Sequence, residues 1–244
     1  MKTSELTQFE GFPLQLFSFL EGLEKNNSKV YFDKYRDDYE KFVVAPAKDF
    51  ITALAPFLEQ LNPSIRREPK FNQTIMKLSK DMRFSKGVPY KTFLLIHFGR
   101  FKLDSEFYLY FDKTGVQYGM FLNNSKEENL FFKKNLMIYE KEIAKVFSSY
   151  KLNNQFSLTE MKKEMVLLRK KFDFSKDGKL LLQMKYILLE KAMLPKEKKI
   201  ISSPNFINDI IKTFSRLYPL YCFAISEYPL KLLTKFEEQM GVAD

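Results

Sequence analysis

The chain has 244 residues, 45% of them apolar and 16% aromatic, with 26 Phe and no Trp; this is ample for a packed core and excludes disorder by composition. Its 40 basic and 30 acidic side chains leave a net charge of +10, a field that attracts anions, although a charge spread along the chain is read more simply as lysine on solvated faces. One His and one Cys, Cys222, exclude an intrachain disulfide and a four-ligand zinc site, and 8 Gly argue against repeats and glycine-rich phosphate loops.

The N-terminal stretch "MKTSELTQFEGFPLQLF" carries Glu5 and Glu10 and has no basic region followed by an apolar run, so it does not read as a signal peptide. No window reaches 18 apolar residues, so no membrane span is expected, and a cytoplasmic protein is the default.

Leu16, Phe19, Leu20 and Leu23 recur at helical spacing and stop at Asn26-Asn27. Ser28 is placed to cap a second helix, Lys29 to Val44, whose exposed face pairs Arg36 with Glu40 and Asp37 with Lys41. Tyr31, Tyr35, Tyr39 and Phe42 supply its other face. Pro46 kinks the path or begins a new helix, and Phe50, Ile51, Leu54, Phe57, Leu58 and Leu61 carry the apolar stripe to about Leu61.

After a loop at "NPSIRREPKFNQ", "TIMKLSKD" alternates like a strand and "KTFLLIHFGRF" reads as a buried one. "FYLYF" and "VQYGMFL" flank Asp112 to Gly115, a hairpin signal, so three or four antiparallel strands are expected between about 74 and 122. "SKEENLFFKKNLMIYEKEIAKVFSSY" predicts one helix, and "SLTEMKKEMVLLRKKF" a further one. "QMKYILLEKAML" predicts a strand around Lys185 to Leu189. "PNFINDIIKTFSRLYP" predicts a helix that opens near Pro204 and ends at Pro219, and a last helix is expected over Pro229 to Met240. "LPKEKK" is the nearest thing to a linker and is too short for one. The expected fold is a single α+β domain over 1–244, a mostly antiparallel sheet with helices from both termini packed around it.

The chemistry available is narrow. No G-x-S-x-G elbow, Walker A run or G-x-G-x-x-G run occurs. His97, in "LLIHF", reads as a core histidine before it reads as a base. Chemistry-bearing residues instead crowd "SKDMRFSKGVPYKTFLLIHF". There Arg83 can fork onto two oxygens of a phosphate or carboxylate, and Lys86 and Lys91 add point charges. The Tyr90 hydroxyl can donate to an oxyanion, or act as a base if the lysines lower its pKa. Gly87 and Pro89 shape the bend. Against this, Arg83 can simply pair with Asp81, and Tyr90 can simply tie two elements together.

These residues resemble a known family. "LFSFLEGLEKNNSKVYFDKYRDDYEKFVVAPAKDFITALAPFL" and "KDMRFSKGVPYK" are similar to the domain of unknown function 2461, a family of bacterial and fungal proteins. The matching positions are Phe17, Phe19, Leu20, Leu23, Asn26 and Asn27, then Phe32, Arg36 and Tyr39, then Asp81, Arg83, Phe84, Ser85, Lys86, Pro89, Tyr90 and Lys91. The resemblance covers the chain most clearly over 12–122. Tyr31 stands where the family has Trp, Lys80 where Arg is common, and Gly87-Val88 where Asp-Lys is usual; a Pro-Lys-Gly run is missing near Lys170 and Lys171. The resemblance implies an α+β fold and assigns no activity.

Three expectations about function follow. The first is a module that binds a small anionic ligand through Arg83, Lys86, Tyr90, Lys91 and Asp81, with Arg36, Asn26 and Asn27 converging from the helical region. The second is a metal-independent enzyme at the same loop, in which Tyr90 or Asp81 moves a proton. The third, nucleic-acid binding, rests on net charge alone and is the least favoured. No cofactor or metal is expected, and the sequence does not specify an oligomeric state.

Overall fold

The computed structural model describes residues 9–83, 87–125, 128–193 and 197–240. Its helical N-terminal region is α1 (Gln15–Lys25), α2 (Lys29–Lys34), α3 (Arg36–Tyr39), a π-helical turn (Glu40–Val44) and α4 (Ala45–Leu61). Then come β1 (Leu94–Phe98), β2 (Glu106–Asp112), β3 (Gly115–Asn123), α5 (Phe132–Ile138), α6 (Glu140–Ser149), β4 (Ser157–Met161) and β5 (Met165–Arg169). The chain continues through α7 (Phe174–Asp177), α8 (Leu180–Gln183), β6 (Tyr186–Met193), α9 (Lys198–Ile201), α10 (Phe206–Ile225) and α11 (Pro229–Met240). The strands form a six-stranded sheet in the order β1-β2-β3-β6-β4-β5, and the class is α+β as expected.

The N-terminal helices fall where expected, but the Lys29–Val44 helix is divided into α2, α3 and the π turn, and Arg36 pairs with Asp33 instead of Glu40. The Ser28 hydroxyl accepts from the Tyr31 N–H at the start of α2, as a helix cap does. Tyr35 leaves helical geometry between α2 and α3. Pro46 falls in the first turn of α4, where its missing N–H costs no intrahelical bond, and the π turn directly precedes it.

Four expectations are corrected. "SLTEMKKEMVLLRKKF" is a hairpin of β4 and β5: Leu158 and Thr159 are buried, and β4 pairs antiparallel with both β5 and β6, so strand pairing overrides the helix propensity of Glu, Met and Lys. The helix read from Ser125 to Tyr150 is two helices broken at Tyr139. Pro219 does not end α10; Leu217, Tyr218, Leu220, Tyr221, Cys222 and Phe223 are all buried, and this packing outweighs the ~3 kcal/mol of an interior proline. "TIMKLSKD" makes isolated bridges at Ile75 and Ser79 in place of a continuous strand.

The chain divides into two compact units. One comprises Met1–Phe98, Leu109–Gln117 and Ala192–Ile211; the other comprises Gly99–Tyr108, Tyr118–Lys191 and Lys212–Asp244. The first is cored by Phe9, Phe12, Phe50, Phe111 and Phe206, with ring centroids 4.5–6.2 Å apart. In the second, Phe107 packs on Phe214 and Tyr221, and buried Asp104 takes a two-pronged ion pair from Arg100. Gly119 fixes the approach of β3 to β6, because a Cβ there would lie 2.0 Å from the Leu189 carbonyl oxygen. No helix among the described residues is long and apolar enough to cross a membrane.

Candidate functional site

The residues singled out in the sequence lie on an arm of the first unit and on α1 to α3. The arm doubles back on itself from about 74 to 97. The Met76 N–H donates to the Leu95 carbonyl (3.0 Å), Lys80 to Pro89 (2.8 Å), Lys91 to Leu78 (2.8 Å) and His97 to Thr74 (3.0 Å). His97 is half-buried on β1. Gly87 has a φ of +96°, a left-handed conformation that glycine adopts without strain. Phe84, Ser85 and Lys86 lie outside the described residues, Lys86 being one of the expected ligand-binding positions.

Asn27 grips the returning limb. Its side-chain amide donates to the Tyr90 carbonyl and its side-chain oxygen accepts from the Tyr90 N–H, both at 3.0 Å. One side chain therefore satisfies both main-chain groups of Tyr90, as a neighbouring strand would. Asn26 does something different: it donates back to the Gly22 carbonyl and finishes α1.

With its backbone held, Tyr90 lays its ring on Phe32, centroids 4.4 Å apart and planes 13° from parallel. Phe32 is buried and packs in turn on Phe19 and Tyr39, so the stack is backed by the helical core. The Arg36 guanidinium lies 5.6 Å over the Phe32 ring, within cation–π range. Asp33 accepts from Arg36 at 2.6 Å and turns one edge of the guanidinium. Asn27, Phe32, Arg36 and Tyr90 thus converge across 63 residues of sequence.

Arg83 and Lys91 are held differently. Asp81 receives Arg83 in two-pronged fashion, Nε at 3.0 Å and Nη2 at 2.8 Å, and also takes the Arg83 backbone N–H. The Lys91 ammonium donates to the Lys77 carbonyl (2.7 Å) and, at longer range, to that of Ser79. Lys91 therefore braces the two limbs of the arm.

The protonation states follow. Burial raises the Tyr90 phenol above its ordinary pKa, nearby Asp33 adds to this and Arg36 opposes it. The hydroxyl thus stays protonated at neutral pH and donates; a base would need the opposite shift. The hydrogen bonds from Arg83 pull Asp81 below the ordinary carboxylate value, which keeps it ionised. Burial, then Lys80, lowers the Lys91 ammonium.

Two features were not read from the sequence. Asp33 is one, although its place three residues before Arg36 is a legible pairing signal. In the second unit, Tyr108 donates to Glu190 at 2.5 Å and Thr159 donates to the same carboxylate at 2.8 Å; nothing in sequence spacing links those three positions. The same unit carries an open depression of about 380 Å³ lined by Glu160, Met161, Lys162, Lys185 and Tyr186.

The family model described as "Conserved hypothetical protein (DUF2461)" matches residues 15–223 of this chain. The chain belongs to the DUF2461 family. No curated protein and no solved structure matches it. The DUF2461 match spans α1 to most of α10 and takes in the Asn27 clamp, the aromatic stack and the whole arm.

Proposed function

We propose that this DUF2461 chain binds a small ligand carrying a phosphate or carboxylate, held by Arg36 and the Tyr90 hydroxyl, with Arg83 on the arm adding positive charge. The observation that carries the reading is the Arg36–Phe32–Tyr90 column, its far end fixed by the Asn27 amide. Phe32 supports both the Arg36 guanidinium and the Tyr90 ring, and restraining the two groups before any ligand arrives lowers the ordering cost of binding. Asp33 is a weak competitor: Arg36 and Asp33 are both well exposed, and exposed ion pairs contribute only ~0–1 kcal/mol. An incoming oxyanion can therefore share or replace that carboxylate. The proton-transfer reading gains no support at Tyr90, whose phenol is shifted away from a base, nor at Asp81, whose carboxylate is already occupied.

The test is a thermal-shift screen at low salt against inorganic phosphate, pyrophosphate and citrate, repeated with Arg36→Ala. The reading predicts a concentration-dependent rise in Tm that Arg36→Ala abolishes while its ligand-free Tm stays near wild type. No shift with any of the three anions, or equal shifts in the variant, contradicts it.

A further inference from the structure

The sheet ends at β5, and the edge is protected only at its C-terminal end, where Leu168 is an extra residue between Leu167 and Arg169, which pair with Thr159 and Leu158. The strand pairs with β4 through Met161↔Met165, Glu160↔Val166 and Thr159↔Leu167, and among the described residues no strand pairs with its other side. Edge strands are normally blunted by charge, proline or a bulge; the Leu168 bulge and Arg169 blunt one end of β5, whereas Met165 to Leu167 carry none of these. Met165, Val166, Leu167 and Leu168 form an uninterrupted apolar run, and the first three are 60%, 41% and 52% exposed. Such a run on a main-chain edge is the feature that β-augmentation uses: hydrogen bonds along the edge supply affinity and alternate side chains supply selectivity.

The charges on either side say which strand fits. Lys162 and Lys163 precede β5, Lys170 and Lys171 follow it, and all four are exposed. Glu160 holds Lys162 at 2.9 Å, and Asp177 holds Arg169 at 2.7 Å, which leaves Lys163, Lys170 and Lys171 against the single exposed acid Glu164. A second copy of this chain is a poor occupant. Antiparallel β5–β5 pairing sets Lys163 of one copy near Lys170 and Lys171 of the other, and parallel pairing sets like beside like; both are repulsive. An extended segment with an apolar, β-favouring centre and acidic ends satisfies the apolar run and the lysines together.

We infer that β5 is a docking edge for an extended segment of a partner protein, apolar and β-branched at its centre and flanked by Asp or Glu, which adds to the sheet as a further strand. Part of the edge is pre-set: the Arg169 guanidinium reaches back to the Leu168 carbonyl at 2.8 Å, so docking centres on Met165 to Leu167.

The experiment uses the full chain and two fluorescein-labelled peptides, Asp-Glu-Val-Thr-Val-Thr-Val-Glu-Asp and Lys-Lys-Val-Thr-Val-Thr-Val-Lys-Lys, read by fluorescence anisotropy at low salt. The expected result is saturable binding of the acidic peptide, about tenfold or more tighter than of the basic one, and weakened about tenfold or more by Leu167→Lys. A second variant, Lys163→Glu with Lys170→Glu and Lys171→Glu, alters only exposed side chains and should reverse the preference between the peptides. Equal affinity for both peptides, or no saturation of the acidic one up to about 1 mM, overturns the inference. So does binding untouched by either variant. Concentration-dependent dimerisation of the chain alone, abolished by Leu167→Lys, overturns it in favour of a second copy.

Discussion

Asn27 illustrates how a single side chain can set the geometry of a site it does not itself present. Its amide replaces water at both main-chain groups of Tyr90, two hydrogen bonds in a part-buried setting. At a net ~0.5–1.5 kcal/mol each, Asn27→Ala should cost about 1–3 kcal/mol in chemical denaturation. Asn27→Asp should cost as much, because a carboxylate accepts from the Tyr90 N–H but repels its carbonyl. A loss under about 0.5 kcal/mol for both, the range of ordinary surface changes, would show that the clamp does not bear on stability. The residue types at this place were legible: Arg36, Tyr90 and Asn27 all stood out. Their arrangement was less so. Asn27 binds main chain, which carries no side-chain signature, and Arg83 and Lys91 turned out to be engaged by Asp81 and by carbonyl oxygens. A sequence shows that a cation is present but not which acceptor reaches it first.

Among the elements, strand approach is decided by what a position leaves out. At Gly119 an added Cβ meets the Leu189 carbonyl oxygen at 2.0 Å and the Glu190 Cα at 2.9 Å, both backbone atoms that cannot swing aside. At Gly87 an added Cβ meets nothing within 4 Å, and the only penalty is the positive φ. Gly119→Ala should therefore cost at least the 1–3 kcal/mol of overpacking, and Gly87→Ala about 1–2 kcal/mol from its φ alone. Urea denaturation of the two variants side by side checks the order, and a larger loss at Gly87 would contradict it. The misread elements share a cause. Local propensity marks β4 and β5 as helix and Pro219 as a stop, whereas distant partners decide both: β6 captures β4, and burial carries α10 through its proline. Hairpin β2–β3, β6 and α11 were legible because pattern and packing agree there.

For the molecule as a whole, the aromatic content seen in composition becomes a set of buried phenols. Burial holds Tyr108 and Tyr221 well above the ordinary tyrosine value, and pushes Tyr110 up to about 12. Raised folded-state pKa values give stability that is complete below the unfolded value, near 10, and is lost as the pH climbs beyond it. Tm should hold steady up to about pH 9 and fall steeply above about pH 10, with the phenolate absorbance of the buried tyrosines withheld until the protein unfolds. Ionisation of the full complement of 13 tyrosines at pH 10–11 in protein of unchanged Tm would contradict that picture. The central claim is local: Arg36 and Tyr90 form one ready-made seat for an oxyanion. Side-chain NMR of the arginine Nε–H groups, titrated with pyrophosphate at low salt, tests it most directly. A saturable shift at Arg36 that is lost in Tyr90→Phe, with Arg67 on its Glu59 partner unmoved, is the predicted result. Small, unsaturated shifts shared by all arginines would contradict it.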